Sequence, residues 1–171
     1  MEWWEILLIV IAGLALMIII YNCLIKLRNK NIINKTIEVI NTSLENPKIE
    51  LCSFDNLYQI KFLSKKEYFI KILPMSPKHE LIITNSNKVI INDDPKNFKR
   101  SAKPDFVPGI KQFSELNLDR ENIKIILVYP DCHNITKYIN ESDVITIDSS
   151  NIVDGIYYIK YKELEEFLKN Q

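Results

Sequence analysis

Apolar residues fill positions 6–25, and Asn22 is the one strongly polar side chain among them. At ~1.5 Å of rise per residue, a helix of this length spans roughly 30 Å, the thickness of a bilayer's hydrocarbon core. A secretory signal peptide would have a basic N-terminal region and a small-residue cleavage site, and the sequence has neither. The run also lacks the polar face of a helix that packs on a soluble core. The pattern therefore predicts a transmembrane helix over residues 6–25.

The residues that flank this run predict its orientation. The aromatic side chains suited to the membrane interface are Trp3, Trp4 and Tyr21, and the basic residues that follow the run are Lys26, Arg28 and Lys30. By the positive-inside rule, residues 1–5 lie outside the cytoplasm and the chain after the run lies inside it. We therefore predict a single-pass protein of the cell membrane, with a basic juxtamembrane segment over residues 26–35 and a cytosolic domain over residues 36–171.

The first half of that domain carries one helical pattern and several strand patterns. Apolar residues recur at helical spacing over residues 29–46, and Pro47 ends the pattern. Strand patterns at residues 57–63, 67–73, 80–85 and 88–92 predict two hairpins in meander order. Residues 93–108 contain three of the seven prolines and are predicted to form a long solvated loop.

The second half alternates between strand and helix patterns. Residues 110–116 predict a short helix, and the apolar run at 123–129 predicts a central strand that is compatible with parallel pairing. Helical turns are predicted at 135–139, a strand at 143–148, a short strand or an extended connector at 155–159, and a terminal helix over residues 161–170. This order predicts a single α/β domain with a mixed sheet.

The composition of the chain limits the kinds of binding site that can be expected. The chain has 22 basic and 22 acidic residues, so no strong field for polyanions is expected. The three cysteines indicate no disulfide framework, and neither a C-x-x-C motif nor a spaced histidine pair predicts a metal site. With three glycines in all, the chain has no phosphate-binding loop or dinucleotide fingerprint. The abundance of isoleucine, asparagine and lysine suggests a bacterial source.

Three segments carry a resemblance to a known family. The strand Y-F-I-K at 68–71, the strand end Y-P-D at 129–131 and the segment D-G-I-Y-Y-I-K-Y-K-E-L-E-E-F-L at 154–168 occur in an order that resembles the restriction-endonuclease-like (PD-(D/E)XK) superfamily. The nearest likeness is to the nuclease-related domains of membrane-anchored bacterial proteins. It covers about residues 36–169 and implies a restriction-endonuclease-like fold.

The resemblance also implies positions for an active site. Active members hold Mg²⁺ with an acid near one strand and with an acid-x-lysine triplet on the next, whose lysine assists the attacking water. By position, Asp55 would match the first acid and Lys71 the lysine. Glu38 or Glu45 would match a helix glutamate that some members have.

The triplet is degenerate in this chain. Phe69 stands where its acid should be, and a phenyl ring cannot bind Mg²⁺, which takes oxygen ligands. Glu67 lies two residues earlier, on the same side of a strand, and could supply an oxygen from a shifted position. We therefore expect a noncatalytic domain, and Mg²⁺ would be a cofactor only if a displaced active site exists.

The sequence is compatible with three functions. The first is a noncatalytic module that binds a nucleic acid or a protein at the inner face of the membrane; its candidate phosphate contacts are Lys61, Lys65, Lys66, Lys71, Lys99, Arg100 and Lys103. The second is a metal-dependent nuclease with Asp55, Glu67 and Lys71 as candidate catalytic residues. The third is a membrane-tethered scaffold or adaptor that docks a partner through a strand edge or its terminal helix.

Overall fold

The computed structural model describes residues 3–54, 56–85, 87–93, 105–116, 122–139 and 143–171. The chain divides into two compact units, Met1–Lys35 and Thr36–Gln171. In the described residues the helices are α1 (Trp3–Ser43), α2 (Ile110–Ser114) and α3 (Leu164–Lys169), with a 3₁₀ turn at Tyr161–Glu163. The strands are β1 (Lys48–Leu51), β2 (Ile60–Leu63), β3 (Glu67–Pro74), β4 (Glu80–Asn85), β5 (Lys88–Asn92), β6 (Asp105–Phe106), β7 (Ile123–Tyr129), β8 (Ile135–Tyr138), β9 (Val144–Thr146), β10 (Ile152–Val153) and β11 (Ile156–Lys160).

The first unit contains most of α1, a helix that is long and apolar enough to cross a membrane by length and composition. The side chains of residues 7–28 are exposed. The sequence predicted one helix over residues 6–25 and another from residue 29, but both are parts of α1. No glycine or proline lies between residues 14 and 46, so nothing in the local sequence interrupts the helix. Asn46 has a left-handed backbone, a common helix end, and Pro47 follows it.

The second unit contains two mixed sheets. The first sheet has the order β1-β2-β3-β7-β11-β10, in which β3, β7 and β11 are parallel to one another. The apolar run at 123–129 is therefore confirmed as a central parallel strand. The second sheet has the order β6-β5-β4-β8-β9, with β4 and β8 parallel and the other pairs antiparallel.

Two predictions about this unit are wrong. The four-stranded meander does not exist, because β2 and β3 belong to the first sheet whereas β4 and β5 belong to the second. The helical turns predicted at 135–139 are the strand β8, whose parallel pairing with β4 buries Ile135 and Thr136. A short apolar run is compatible with either structure, and the pairing partner decides between them. In addition, β6 lies inside the segment that was predicted as loop.

The main core lies between the two sheets. Phe69, Ile126 and Tyr158 from the first sheet share one buried cluster with Leu81 and Ile135 from the second. Helix α2 adds its buried side chains to the same cluster. Because side chains alternate along a strand, the opposite face of the first sheet carries a second set of apolar residues, and there Tyr157 packs edge to face on α3.

Candidate functional site

The position of the expected nuclease site falls on the face of the first sheet that points toward the second. Lys61 of β2, Phe69 of β3 and Lys124 of β7 are register partners, so these three residues lie side by side across the strands. Glu67 and Lys71 lie on the same face of β3, two residues before and after Phe69. This row is the candidate site, and its chemistry depends on what each side chain contacts.

Phe69 is part of the buried core. Its side chain is 4% exposed, and its ring packs edge to face on Tyr58 with ring centroids 5.0 Å apart. The amine of Lys61 lies 5.5 Å from the centre of the Phe69 ring, within cation–π distance. The strand position that would carry a metal-binding acid therefore carries an aromatic side chain with aromatic and cationic neighbours.

Glu67 is paired with Lys61. The Nζ of Lys61 lies 2.8 Å from a carboxylate oxygen of Glu67 and 3.9 Å from one of Glu50. The hydrogen bond to Glu67 raises the pKa of Lys61 above its ordinary value. Lys71 lies four positions after Glu67 along an extended strand, which corresponds to about 13 Å between their Cα atoms. The two carboxylates next to this row among the described residues, Glu67 and Glu50, are thus both directed to Lys61.

The amine of Lys71 donates a hydrogen bond to a backbone carbonyl group. Its Nζ lies 3.2 Å from the carbonyl oxygen of Leu57, and burial of the half-buried side chain lowers its pKa. Among the described residues, no carboxylate lies within ion-pair distance of this amine. Lys124 is held in a similar way, because its Nζ donates to the carbonyl oxygen of Ser114 at 2.6 Å. Burial also lowers the pKa of Lys124.

The described residues at this position do not bring together the oxygen ligands that a Mg²⁺ centre requires. Asp55, the expected first acid, lies outside the described residues. Within the part of the chain that the structure describes, no three histidine, cysteine or acidic side chains are grouped as a metal site would require. Of the two helix glutamates, Glu38 acts electrostatically on Tyr161, and Glu45 lines a groove at the end of α1.

The predicted phosphate contacts do not form one patch in the described residues. Lys61 and Lys71 share a face of the first sheet, whereas Lys65 lines a groove with Tyr68, whose side chain points to the opposite face. Lys66 is exposed in the turn between β2 and β3. The remaining three predicted contacts, Lys99, Arg100 and Lys103, lie outside the described residues. The predicted membrane-interface residues, Trp3, Trp4, Tyr21, Lys26, Arg28 and Lys30, are all exposed on α1.

One cluster that the sequence reasoning missed lies where the parallel strands end. Asp131, just after β7, accepts hydrogen bonds from Lys162 at 3.1 Å and from the Cys132 amide at 2.9 Å. Burial alone would raise the pKa of Asp131, but these bonds and the charge of Lys160 lower it. The sequence feature that could have predicted this cluster is the Y-P-D segment at 129–131. It directly follows a predicted central strand, and charged residues at the carboxyl ends of parallel strands meet at one sheet edge.

No protein-family model, no curated protein and no solved structure matches this chain. The structural features that bear on its function are the buried ring of Phe69 and the apolar helix α1.

Proposed function

We propose that this chain is a single-pass membrane protein whose cytoplasmic domain has a restriction-endonuclease-like fold and binds a partner without cleaving nucleic acid. The observation that carries the proposal is Phe69, whose buried ring takes the strand position of the metal-binding acid. The fold assignment is supported by the helix that precedes β1, the β2–β3 hairpin, and the parallel strand β7 beside β3.

The membrane location is supported by α1, and the orientation by the charges that follow its apolar part. Lys26, Arg28 and Lys30 lie directly after that part, and the residues before it include no lysine or arginine. Basic residues are retained on the cytoplasmic side during insertion. The domain formed by residues 36–171 then lies in the cytoplasm, where free cysteines are the normal state.

A protein partner agrees best with the exposed surface. All three residues of β9 are exposed, Val144 by 56% and Ile145 by 50%, and the strand contains no charged residue. In the described residues β9 pairs only with β8, so its outer edge is open. An open, uncharged edge strand is the surface to which an extended segment of another protein adds by backbone hydrogen bonding.

A nucleic-acid partner is the second candidate, and it is supported by Lys61 and Lys71 on a common face of the first sheet. Both amines already have partners within the domain, so phosphate binding would have to replace those contacts. The alternative of a displaced nuclease site would require Glu67 to leave Lys61 and approach Lys71 from roughly 13 Å away. These contacts make a protein partner the better-supported proposal.

The experiment is a plasmid-nicking assay with the full chain in detergent, with Mg²⁺ and with EDTA. We expect no Mg²⁺-dependent nicking, and the Lys71→Met variant should be indistinguishable from the wild type. Nicking that depends on Mg²⁺ and is lost in Lys71→Met would overturn the noncatalytic assignment.

Partner binding is tested by photocrosslinking in native membranes. A photoreactive residue at Ile145 should give heavier protein adducts, whereas one at Lys66, an exposed position away from β9, should not. Recovery of only the uncrosslinked chain from both positions would count against the β9 surface.

A further inference from the structure

The outer edge of the first sheet is formed by β1, a strand with the sequence K-I-E-L. In the described residues β1 pairs only with β2, so its other side is open. The strand is also exposed: Leu51 is 56% exposed, and the side chain of Glu50 is 74% exposed. An open strand edge offers unpaired backbone groups to another strand, and this edge belongs to a different sheet from β9.

The hydrogen bonding of β1 to β2 determines which of its backbone groups face outward. The amide of Cys52, directly after β1, donates to the carbonyl oxygen of Gln59 at 2.9 Å, in line with the register of the two strands. Because backbone groups alternate in direction along an antiparallel strand, those of Glu50 also point to β2. The N–H and C=O groups of Ile49 and Leu51 therefore point away from the sheet.

Two copies of β1 can pair in antiparallel orientation across a two-fold axis, the commonest symmetry of a homodimer. Backbone hydrogen bonds form only where outward-facing residues lie opposite one another. Two registers meet this condition over three residues of the strand. One is centred on Ile49, and the other is centred on Glu50.

The charges of β1 distinguish the two registers. Centred on Glu50, the pairing places this carboxylate directly opposite the same carboxylate of the second copy, which is destabilising. Centred on Ile49, it places Lys48 of each copy opposite Glu50 of the other, which gives two cross-strand ion pairs. In this register the two Ile49 residues exchange both backbone hydrogen bonds. The Leu51 amide reaches the carbonyl group of Pro47, a residue that has no N–H to leave unpaired.

Within one copy, the charges of β1 are poorly matched. Lys48 forms no ion pair in the part of the chain that the structure describes, and Glu50 lies 3.9 Å from the Nζ of Lys61. That amine has a closer partner in Glu67, at 2.8 Å. A lysine on an edge strand often serves to oppose pairing with another sheet. The alternation of Lys48 and Glu50 around Ile49 does the opposite, because it makes the edge complementary to itself.

We infer that two copies of this chain associate through β1, antiparallel and centred on Ile49, so that their first sheets become continuous. Side chains alternate along a strand, so the two ion pairs lie on one face of the junction, and Ile49 and Leu51 lie on the other. The apolar contact across the junction then accompanies the charge pairing. The partner is a second copy of the chain, and the inference does not depend on the partner proposed for β9.

The test measures self-association of the full chain in detergent by sedimentation equilibrium. We expect the wild type to form dimers. Lys48→Glu or Glu50→Lys alone places like charges opposite each other at both ion-pair positions and should weaken the dimer roughly 10-fold. The double variant Lys48→Glu/Glu50→Lys restores opposite charges and should bind within about 3-fold of wild type. Lys66→Glu reverses an exposed charge in the turn after β2 and is the matched control, with an expected change below about 2-fold.

Mixing the two single variants tests the pairing directly. The Lys48→Glu edge is negative at both positions and the Glu50→Lys edge is positive at both, so differently tagged copies should copurify as a mixed dimer. Ile49→Pro removes an outward N–H, which an edge strand tolerates, and should prevent dimerisation. A monomeric wild type would overturn the inference and leave the edge to a different protein. A dimer that none of the charge variants affects would also overturn it, because its contact would lie elsewhere.

Discussion

Tyr58 and Phe69 pack edge to face, with ring centroids 5.0 Å apart and ring planes inclined by 83°. This contact fills the strand position at which a nuclease of the proposed family needs a carboxylate. Such aromatic pairs contribute about 0.5–1.5 kcal/mol beyond the burial of their surface. The domain therefore gains stability from the position at which the proposed fold would carry a metal ligand.

Replacing Phe69 should destabilise the domain strongly. Because the side chain is buried between the two sheets, Phe69→Ala should lower the free energy of unfolding by about 3–5 kcal/mol. Phe69→Leu keeps most of the volume and should cost less than about 1.5 kcal/mol. Urea denaturation followed by circular dichroism measures both values. A loss below about 1 kcal/mol for Phe69→Ala would mean that the ring is not a core residue.

The sequence predicted this domain best where the apolar pattern was long. Helix α1 was found because its apolar run is longer than any ordinary strand, and β3 and β7 were found because their runs are rich in β-branched and aromatic residues and end at a proline. Periodicity carries no information about which sheet a strand joins, so β4 and β5 were assigned to the wrong one. The short edge strands β1 and β10 were missed because four and two residues carry too little pattern.

At the candidate site, the sequence alone indicated that Phe69 has no oxygen to bind a metal ion, but it did not indicate which side chains surround its ring. A missing oxygen ligand can be read from a side chain's identity. The pairing of Lys61 with Glu67 depends on the register of β2 against β3, and the bond from Lys71 to Leu57 depends on the path of the connecting turn. These are relationships between segments, and a single sequence does not specify them.

Gly109, at the start of α2, should resist substitution. Its φ of +73° lies in the left-handed region, and a Cβ there would lie 3.1 Å from the Nζ of Lys71. Gly109→Ala should cost about 1–2 kcal/mol from backbone strain, plus about 0.5–1.5 kcal/mol if the bond from Lys71 to Leu57 is displaced. Thermal or urea unfolding measures the total.

Gly155 provides the matched control for that prediction. With Asp154 it forms the β10–β11 turn, where both residues have positive φ, as in a type I′ hairpin. A Cβ on Gly155 would meet nothing within 4 Å, so Gly155→Ala reports backbone strain alone. If Gly109→Ala costs no more than Gly155→Ala, the Lys71 amine moves aside without loss.

Removing the hydroxyl of Tyr158 should leave the domain as stable as before or make it more stable. The side chain is fully buried in the core cluster, and its hydroxyl is the one buried side-chain polar atom without a hydrogen-bond partner in the described residues. Leaving such a group unsatisfied costs about 1–3 kcal/mol. Tyr158→Phe should therefore raise the free energy of unfolding by up to about that amount, while Tyr157→Phe, at a partly exposed position, should change it little. A loss above 1 kcal/mol in Tyr158→Phe would reveal a partner for the hydroxyl.

Cys132 should make the domain less stable at alkaline pH. Burial raises the pKa of its thiol from 9.0 to about 11, so the folded state holds the proton more tightly than the unfolded state. The resulting stabilisation is complete below pH 9 and is lost as the pH rises toward 11, by at most about 2–3 kcal/mol. Between pH 8 and 11, the wild type should lose stability relative to Cys132→Ala, because the other titrating groups are common to both. Parallel pH profiles would show that the thiol is not protected by burial.

The orientation of the chain can be measured with its own cysteines. Cys52 is partly exposed in the domain, Cys132 is buried, and Cys23 lies in the apolar part of α1. In a Cys23→Ser background, a membrane-impermeant maleimide should label Cys52 in inside-out vesicles and not in sealed right-side-out vesicles, because the positive-inside rule predicts a cytoplasmic domain. Cys132 serves as the internal control and should react only after unfolding. Labelling of Cys52 in intact right-side-out vesicles would put the domain outside the cell, and a cytoplasmic partner at the β9 edge would then be impossible.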